Sequence, residues 1–255
     1  MISIPIPDER AKVRYRDIKK PEPGFARLVR DLSKGKLKGS ERVHLDPDLD
    51  PDALPREAQW QALFGQHGAA QSHLHSHNVG EGDVFLFFGW FRQVELYRRR
   101  WRYVAGAPDQ HIIFGWMQVE SVESAREIKH SEECSWAHYH PHCLAEFSGS
   151  NVIYKASKQL KLSRNNIAGA GFFRHYHERL CLTSEGKNRS HWKLPGWMHP
   201  KDRDSTLSYH SDIKRWRRGK GYTMLQSVAR GQEFVLDLDH YPEGSDWLHG
   251  LFKTD

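Results

Sequence analysis

The clearest hydrophobic pattern in the chain is a dense apolar run over Val84–Phe91, introduced by a turn at Gly82. Apolar runs of this length that are bounded by turn residues are typical of buried strands. Two further runs, His111–Val119 and Asn151–Ala156, predict strands in the same way. The pattern therefore predicts a β-sheet that includes these three segments.

Short helices are predicted around this sheet. Their expected positions are near Gly24–Leu32, Pro55–Leu63, Ser121–Ile128 and Gly244–Leu251. Prolines recur through the first fifty residues, so extended segments and turns are expected there. Without a repeat or an obvious linker, the chain is predicted to be a single α+β domain over residues 1–255, loop-rich over 1–54 with its core over 55–255. The sheet is expected to be mixed or antiparallel, or a partial barrel with short helices and long loops.

The composition of the chain indicates that the protein binds an anionic partner. Lys and Arg total 38 against 32 Asp and Glu, and aromatic residues make up 12% of the chain with nine Trp. Basic surfaces attract polyanions, and exposed rings can stack on bases or wall a pocket for a flipped base. The alternative is that the large aromatics simply fill the core. Nucleic acid is therefore the favoured partner.

The sequence shows no targeting signal and no cysteine pattern that indicates a function. No apolar run approaches the roughly 20 residues of a membrane helix, and the N-terminal residues lack a signal-peptide pattern. We therefore expect a cytoplasmic protein with no membrane partner. The three cysteines, Cys134, Cys143 and Cys181, are widely separated and indicate neither a disulfide framework nor a thiolate zinc site.

Two cationic segments are candidates for contact with a DNA backbone. Each has a tryptophan among its cations, so a ring could stack or wedge while the charges pair with phosphates. The alternative is that both segments are solvated faces. The predicted phosphate-binding residues are Arg98, Arg99, Arg100, Arg102, Lys214, Arg215, Arg217 and Arg218.

The acidic stretch from Asp46 to Asp50 offers candidate catalytic carboxylates. Pro47 and Pro51 restrict its backbone, which helps to aim a side chain. A positioned carboxylate can activate water or stabilise positive charge at a sugar C1′ during cleavage of an N-glycosidic bond. The alternative is a solvated turn. We predict Asp46 or Asp48 as the catalytic group. Further candidates are Asp83, Asp204, Asp237 and Asp239.

Amide and imidazole side chains supply candidates for base recognition. Gln66 and Gln71 can each donate to and accept from a base edge, and His73 lies beside them in the sequence. The alternative is that they satisfy loop backbone. The alternating triplets His73/His75/His77 and His138/His140/His142 could hold a metal if they lay on strands. However, no HExxH or His/Cys/Cys signature is present and Pro141 interrupts the second triplet, so we expect no metal and no organic cofactor.

Several long motifs resemble the third of the nucleotide modification associated domain families. They lie at His44–Leu49, Phe64–Leu74, Gly82–Phe91, Ile113–Val119 and Gly231–Asp237. That family is associated with genes for hypermodified DNA bases and with conflict between bacteria and phages, which implies an enzyme or a reader for such bases. The hairpin predicted from the Gly82 and Ile113 motifs also resembles the central hairpin of PUA-like barrels, which hold modified bases.

The resemblance and the candidate residues lead to one functional hypothesis and two alternatives. The hypothesis is a DNA glycosylase of antiviral defence, which flips a base such as glucosylated 5-hydroxymethylcytosine out of double-stranded DNA and excises it. Trp90 and Trp116 would then wall the base pocket. One alternative is a PUA-like reader that binds the base without cleavage. The other is an enzyme that makes or trims the modification.

Overall fold

The computed structural model describes residues 1–19, 21, 24–161, 166–201, 206–229 and 233–253. Its helices are α1 (Phe25–Leu32), α2 (Gly68–Ser76), α3 (Ala125–His130), α4 (Pro141–Leu144) and α5 (Glu243–Leu251). Its strands are β1 (Ile6–Pro7), β2 (Val43–His44), β3 (Leu63–His67), β4 (Val84–Phe91), β5 (Val94–Tyr97), β6 (Arg100–Tyr103), β7 (Gln110–Ser124), β8 (Asn151–Ala156), β9 (Ala170–Phe172), β10 (His191–Pro195), β11 (Trp216–Arg218) and β12 (Tyr222–Gln226). Short 3-10 helices lie at Tyr15–Asp17, Glu132–Ala137, Glu178–Leu180, Gly196–Met198 and Ile213–Arg215.

The largest sheet is an antiparallel half-barrel with the strand order β3-β8-β7-β4, and β9 also pairs with β7. Strand β7 is 15 residues long, so its first part pairs with β4 and β9 and its last part pairs with β8. The register shifts between Phe87 and Phe88 and between Val119 and Ser121. Such bulges bend a strand and increase its twist, which lets the sheet curl.

The two faces of β3 pack into different hydrophobic clusters. Phe64 packs with Met117 and Tyr154, whereas Leu63 packs with Ile153 and the buried residues of α3 and α4. Successive side chains of a strand point to opposite faces. Leu63, Gly65 and His67 therefore share one face, while Phe64 and Gln66 share the other.

Smaller units surround the half-barrel. A second antiparallel sheet, β10-β12-β11, packs with α5 into a core that contains Trp192, Trp216 and Leu225. The β5–β6 hairpin contacts α1, and β1 pairs with β2 near the start of the chain. Among the described residues, no helix has the length and apolar character needed to cross a bilayer.

These observations confirm the predicted α+β class, the partial barrel and the strands at Val84–Phe91 and Asn151–Ala156. Helices α1 and α5 lie where they were expected. The predicted helix at Pro55–Leu63 is wrong, because Leu63 begins β3 and residues 55–62 are not helical. The helix expected from Ser121 begins only at Ala125, since Ser121–Ser124 pair with β8. In both places a long-range strand partner overrides the local pattern.

Candidate functional site

Asp46 lies in the loop that follows β2, and its side chain is only 5% exposed. The peptide bond between Asp46 and Pro47 is cis. The backbone N–H of Gly65, on β3, donates a hydrogen bond of 2.9 Å to Asp46 Oδ1. The central sheet therefore holds one oxygen of a nearly buried carboxylate.

Three imidazoles surround this carboxylate. Nε2 of His142 lies 3.4 Å and Nε2 of His44 lies 3.6 Å from Asp46 Oδ2. Nε2 of His140 lies 3.5 Å from Oδ1. His44 comes from β2, whereas His140 and His142 come from the start of α4. Together, His44, Asp46, His140 and His142 form the Asp46 cluster.

The charge state of Asp46 follows from these neighbours. Burial alone would raise the pKa of Asp46, but hydrogen bonding and charge from His140, His142 and His44 hold that pKa well below its usual value. Burial likewise opposes the charged form of His44, yet Asp46 and Asp8 raise the pKa of this imidazole. The centre of the cluster is therefore an ionised carboxylate among groups that favour its charge.

Polar partners outside the cluster fix the orientation of each ring. His44 Nδ1 lies 3.0 Å from Asp8 Oδ2. His142 Nδ1 lies 2.6 Å from Asn151 Oδ1, and Asn151 Nδ2 donates to the His142 carbonyl oxygen at 3.0 Å. His140 Nδ1 accepts the backbone N–H of His142 at 3.4 Å. The donor atoms of His44, Asp46 and His142 all lie within 4.8 Å of one another, so these three residues could hold a metal ion.

An aromatic and cationic rim lies beside the cluster. The exposed ring of His67, at the end of β3, packs on Phe147 with a centroid distance of 4.2 Å. Phe147 in turn stacks on His142 at 4.9 Å, and the guanidinium of Arg10 lies 5.5 Å from the Phe147 centroid. These side chains supply a stacking surface and a positive charge next to the buried carboxylate.

Asp48, the other predicted catalytic residue, is committed to a buried ion pair. Arg56 binds both of its carboxylate oxygens, at 2.6 and 2.9 Å, and the Tyr139 hydroxyl donates to it as well. The Asp48 side chain is 1% exposed. Burial raises the pKa of Asp48, while the charge and the two hydrogen bonds of Arg56 oppose this rise. The Asp48 oxygens therefore accept hydrogen bonds from other residues of the protein.

The predicted base-reading residues lie on the other side of β3 from Asp46. Gln66 donates to Glu233 Oε1 at 3.2 Å, and the buried Gln71 accepts from the Tyr154 hydroxyl at 2.9 Å. His73 Nε2 lies 3.0 Å from Ser208 Oγ. The structure therefore groups these residues with one another but separates them from the Asp46 cluster.

The two predicted pocket tryptophans have different surroundings. Trp90 is 63% exposed, and the guanidinium of Arg189 lies 4.3 Å from its ring centroid. Trp116 is half-buried against Phe173 and Phe252, and its indole N–H donates to the Ala168 carbonyl oxygen. Neither packs on the imidazoles of the Asp46 cluster in the described part of the chain.

The first predicted phosphate-binding segment forms the β5–β6 hairpin. Arg98 and Arg99 occupy its turn with positive φ angles of 46° and 64°, and Arg98, Arg99, Arg100 and Arg102 are all exposed. Arg102 pairs with Glu95 at 2.7 Å. A cationic hairpin tip therefore projects into solvent, where it can meet a polyanion.

The second predicted phosphate-binding segment, residues 214–218, is only partly suited to contact with a DNA backbone. Lys214, Arg217 and Arg218 are exposed, but Arg215 is half-buried and donates to the Gln226 carbonyl oxygen. Trp216 is 5% exposed and belongs to a core cluster. The prediction that this tryptophan could stack on a base is wrong, because packing removes its ring from solvent.

The sequence did not combine His44 and His142 with Asp46. The signals available were the two-residue spacing of His44 and Asp46 and the His140/His142 pair. Residues 138–142 do not form a strand, since a turn at 138–140 leads into α4. Among the further aspartates, Asp83 accepts a turn N–H from Gly80, and Asp204 lies outside the described residues.

A buried carboxylate and imidazole cluster on one face of an antiparallel half-barrel, with an exposed cationic hairpin, defines an α+β protein with a preformed polar centre. The chain matches the family model described as nucleotide modification associated domain 3 over residues 1–237, and it belongs to that family. The resemblance found in the sequence is therefore confirmed, and the family links the chain to nucleotide modification. Searches of curated proteins and of solved structures found no match.

Proposed function

We propose that this protein recognises a hypermodified base in double-stranded DNA and excises it by cleavage of the N-glycosidic bond. The observation that carries the proposal is the state of Asp46. Its carboxylate is nearly buried and its ion-pair partners among the described residues are imidazoles, whereas the neighbouring Asp48 is bound by Arg56. A buried carboxylate that stays ionised can stabilise the positive charge that develops on the sugar, and the imidazoles around it can accept a proton from a water molecule.

The reaction is a hydrolysis at the sugar C1′ atom. A water molecule attacks C1′ and gives a proton to an imidazole of the Asp46 cluster, while the bond between C1′ and the base nitrogen breaks. The electron pair of that bond passes to the base, which takes up a proton from solvent and leaves. The products are a free base and an abasic sugar with a hydroxyl group on C1′. Negative charge near C1′ also stabilises the positive charge that develops on the sugar.

The surroundings of the cluster support a nucleic-acid substrate. The rim of His67, Phe147 and Arg10 can stack on a base and pair with a phosphate. The exposed cations of the β5–β6 hairpin can contact the DNA backbone. Membership of a nucleotide modification family agrees with a modified base as the target.

A reader that binds the base without cleavage is the second candidate function. The observation that favours it is the position of Gln66, Gln71 and His73 on the opposite side of β3 from Asp46. A base bound at those residues would lie against the face of β3 opposite to the Asp46 cluster. In this case Asp46 would stabilise the fold and no base would be released.

Excision can be tested with phage DNA that carries glucosylated 5-hydroxymethylcytosine. We expect the purified protein to release the modified base, seen by mass spectrometry, and to leave alkali-labile sites. Asp46→Asn should abolish release while DNA binding persists, and Asp246→Asn, at an exposed position of α5, serves as a matched control that should remain active. Binding without release by the unaltered protein would refute the glycosylase and favour the reader.

A further inference from the structure

The hydrogen bonds around the Asp46 cluster determine which ring nitrogens carry protons. An ionised carboxylate only accepts, so His44 Nδ1 is the donor in its contact with Asp8. The amide group of Asn151 donates to the His142 carbonyl oxygen, which leaves its Oδ1 to accept a proton from His142 Nδ1. Both rings therefore use Nδ1 as the donor towards an outer partner and turn Nε2 towards Asp46.

A bound metal ion would replace the protons that the two rings otherwise share with Asp46. With the ion in place both rings are neutral, and Nε2 of His44 and Nε2 of His142, at 3.6 and 3.4 Å from Asp46 Oδ2, each offer a lone pair. These separations are longer than those of normal N–H···O hydrogen bonds, which are about 2.7–3.2 Å. Two lone pairs and an anionic oxygen converge on one point, and a cation at that point satisfies all three.

The distances match the edges of a coordination tetrahedron. An ion bonded at about 2.0–2.1 Å holds tetrahedral ligands about 3.3–3.4 Å apart, whereas adjacent octahedral ligands lie about 3.0 Å apart. The separations of 3.4 and 3.6 Å are closer to the tetrahedral value. Two imidazoles and one carboxylate are also ligands that zinc accepts readily.

The other oxygen of Asp46 is held in place by donors. Oδ1 accepts the Gly65 N–H at 2.9 Å and faces Nε2 of His140 at 3.5 Å. His140 is fully buried, and its Nε2 atom forms no hydrogen bond of normal geometry within the described residues. Because His140 Nδ1 already accepts the His142 N–H, Nε2 carries the proton in the neutral ring. These contacts orient Oδ2 towards His44 and His142.

We propose that His44, Asp46 and His142 bind a divalent transition-metal ion, namely zinc. Asp8 and Asn151 would then be the outer partners that orient the two imidazoles, as is usual for metal-bound histidines. Three protein ligands leave a fourth position for water, which zinc can activate at neutral pH. This inference rests on geometry and does not require base excision. If both hold, Asp46 serves as a ligand and the ion activates the attacking water.

The first test measures metal in the untagged protein by mass spectrometry, followed by titration of Zn²⁺ into chelator-treated protein. We expect about one zinc per chain and an affinity at least tenfold weaker in His142→Ala and His44→Ala. His75→Ala, which removes an exposed histidine outside the cluster, should bind as the unaltered protein does. Equal zinc binding by all of these variants would overturn the proposal.

A second test determines the coordination geometry of the bound metal ion. Co²⁺ added to the metal-free protein should produce the intense visible absorption of a tetrahedral site, and Zn²⁺ should abolish it. Should His142→Ala fail to fold, as judged by circular dichroism, the comparison uses His44→Gln, since His44 is 19% exposed. A weak octahedral spectrum that is unchanged in His44→Gln would refute the site.

The experiments distinguish failure of the zinc proposal from failure of the excision proposal. Base release by a protein that fails to bind Zn²⁺ in the titration would overturn the zinc site and leave the excision proposal standing. Stoichiometric zinc without base release would support the zinc site and overturn excision.

Discussion

The ring of His142 lies so close to Gly65 that a Cβ atom added to the glycine would come within 2.3 Å of His142 Cδ2. The same glycine donates its backbone N–H to Asp46 Oδ1. One residue of β3 therefore serves two members of the Asp46 cluster. Its missing side chain admits the imidazole, and its backbone holds the carboxylate.

Replacement of this glycine should disrupt the cluster. In Gly65→Ala the new methyl group must displace the buried His142 ring, and overpacking of this kind costs about 1–3 kcal/mol. We expect a lower free energy of unfolding in urea denaturation, together with weaker zinc binding. Gly250→Ala is the control, because it lies in α5 and its added Cβ would meet no described residue within 4 Å apart from its chain neighbours and the helix's own backbone. Equal stability of both variants would contradict this account.

Loss of Arg56 should destabilise the fold strongly. The Arg56→Ala variant leaves the Asp48 carboxylate buried without its guanidinium partner, and breaking a buried pair costs about 3–5 kcal/mol. Chemical denaturation measures this change. The matched control is Arg102→Ala, whose exposed pair with Glu95 should contribute less than about 1 kcal/mol. If Arg56→Ala changed the free energy of unfolding only slightly, Arg56 would not be needed to stabilise the buried Asp48.

Asn151 is predicted to act as a positioning residue for His142. Asn151→Ala removes the acceptor of His142 Nδ1, and loss of such an outer partner lowers metal affinity by about 10- to 100-fold. Asn151→Asp keeps an acceptor oxygen and should restore most of the affinity. Titration of Zn²⁺ by calorimetry checks both variants. If Asn151 acted only through stability, both variants would bind zinc normally once folded.

The hairpin tip offers a test of DNA contact that does not damage the fold. Its turn has positive φ at Arg98 and Arg99, a conformation that Asn and Gly adopt more readily. The double variant Arg98→Asn/Arg99→Gly should therefore melt no lower than the unaltered protein. If both charges neutralise phosphates, the slope of log affinity against log salt should fall by about 2.

This measurement needs a control for net charge. Arg126→Asn removes an exposed cation from α3, outside both basic segments, and should leave the salt slope unchanged. An unchanged slope in the double variant would show that the hairpin does not touch the DNA backbone.

Much of the fold could be predicted from local pattern. The bounds of β4 and β8 agree with the segments that the local pattern indicated, because both are rich in the β-branched and aromatic residues that strands favour. The helix expected over Pro55–Leu63 failed, because pairing with a strand about 90 residues later in the chain decides the structure of Leu63. Local propensity carries no information about such a partner.

For the candidate site too, the sequence decided one part and the tertiary structure decided another. The sequence by itself indicated Asp46 and Asp48 as candidate carboxylates, since both lie in a proline-restricted acidic stretch. Only the tertiary structure distinguished them, because Tyr139 lies 91 residues from Asp48 and His142 reaches Asp46 from α4. The charge and availability of a carboxylate depend on which groups surround it in space, and folding brings those groups from distant parts of the chain.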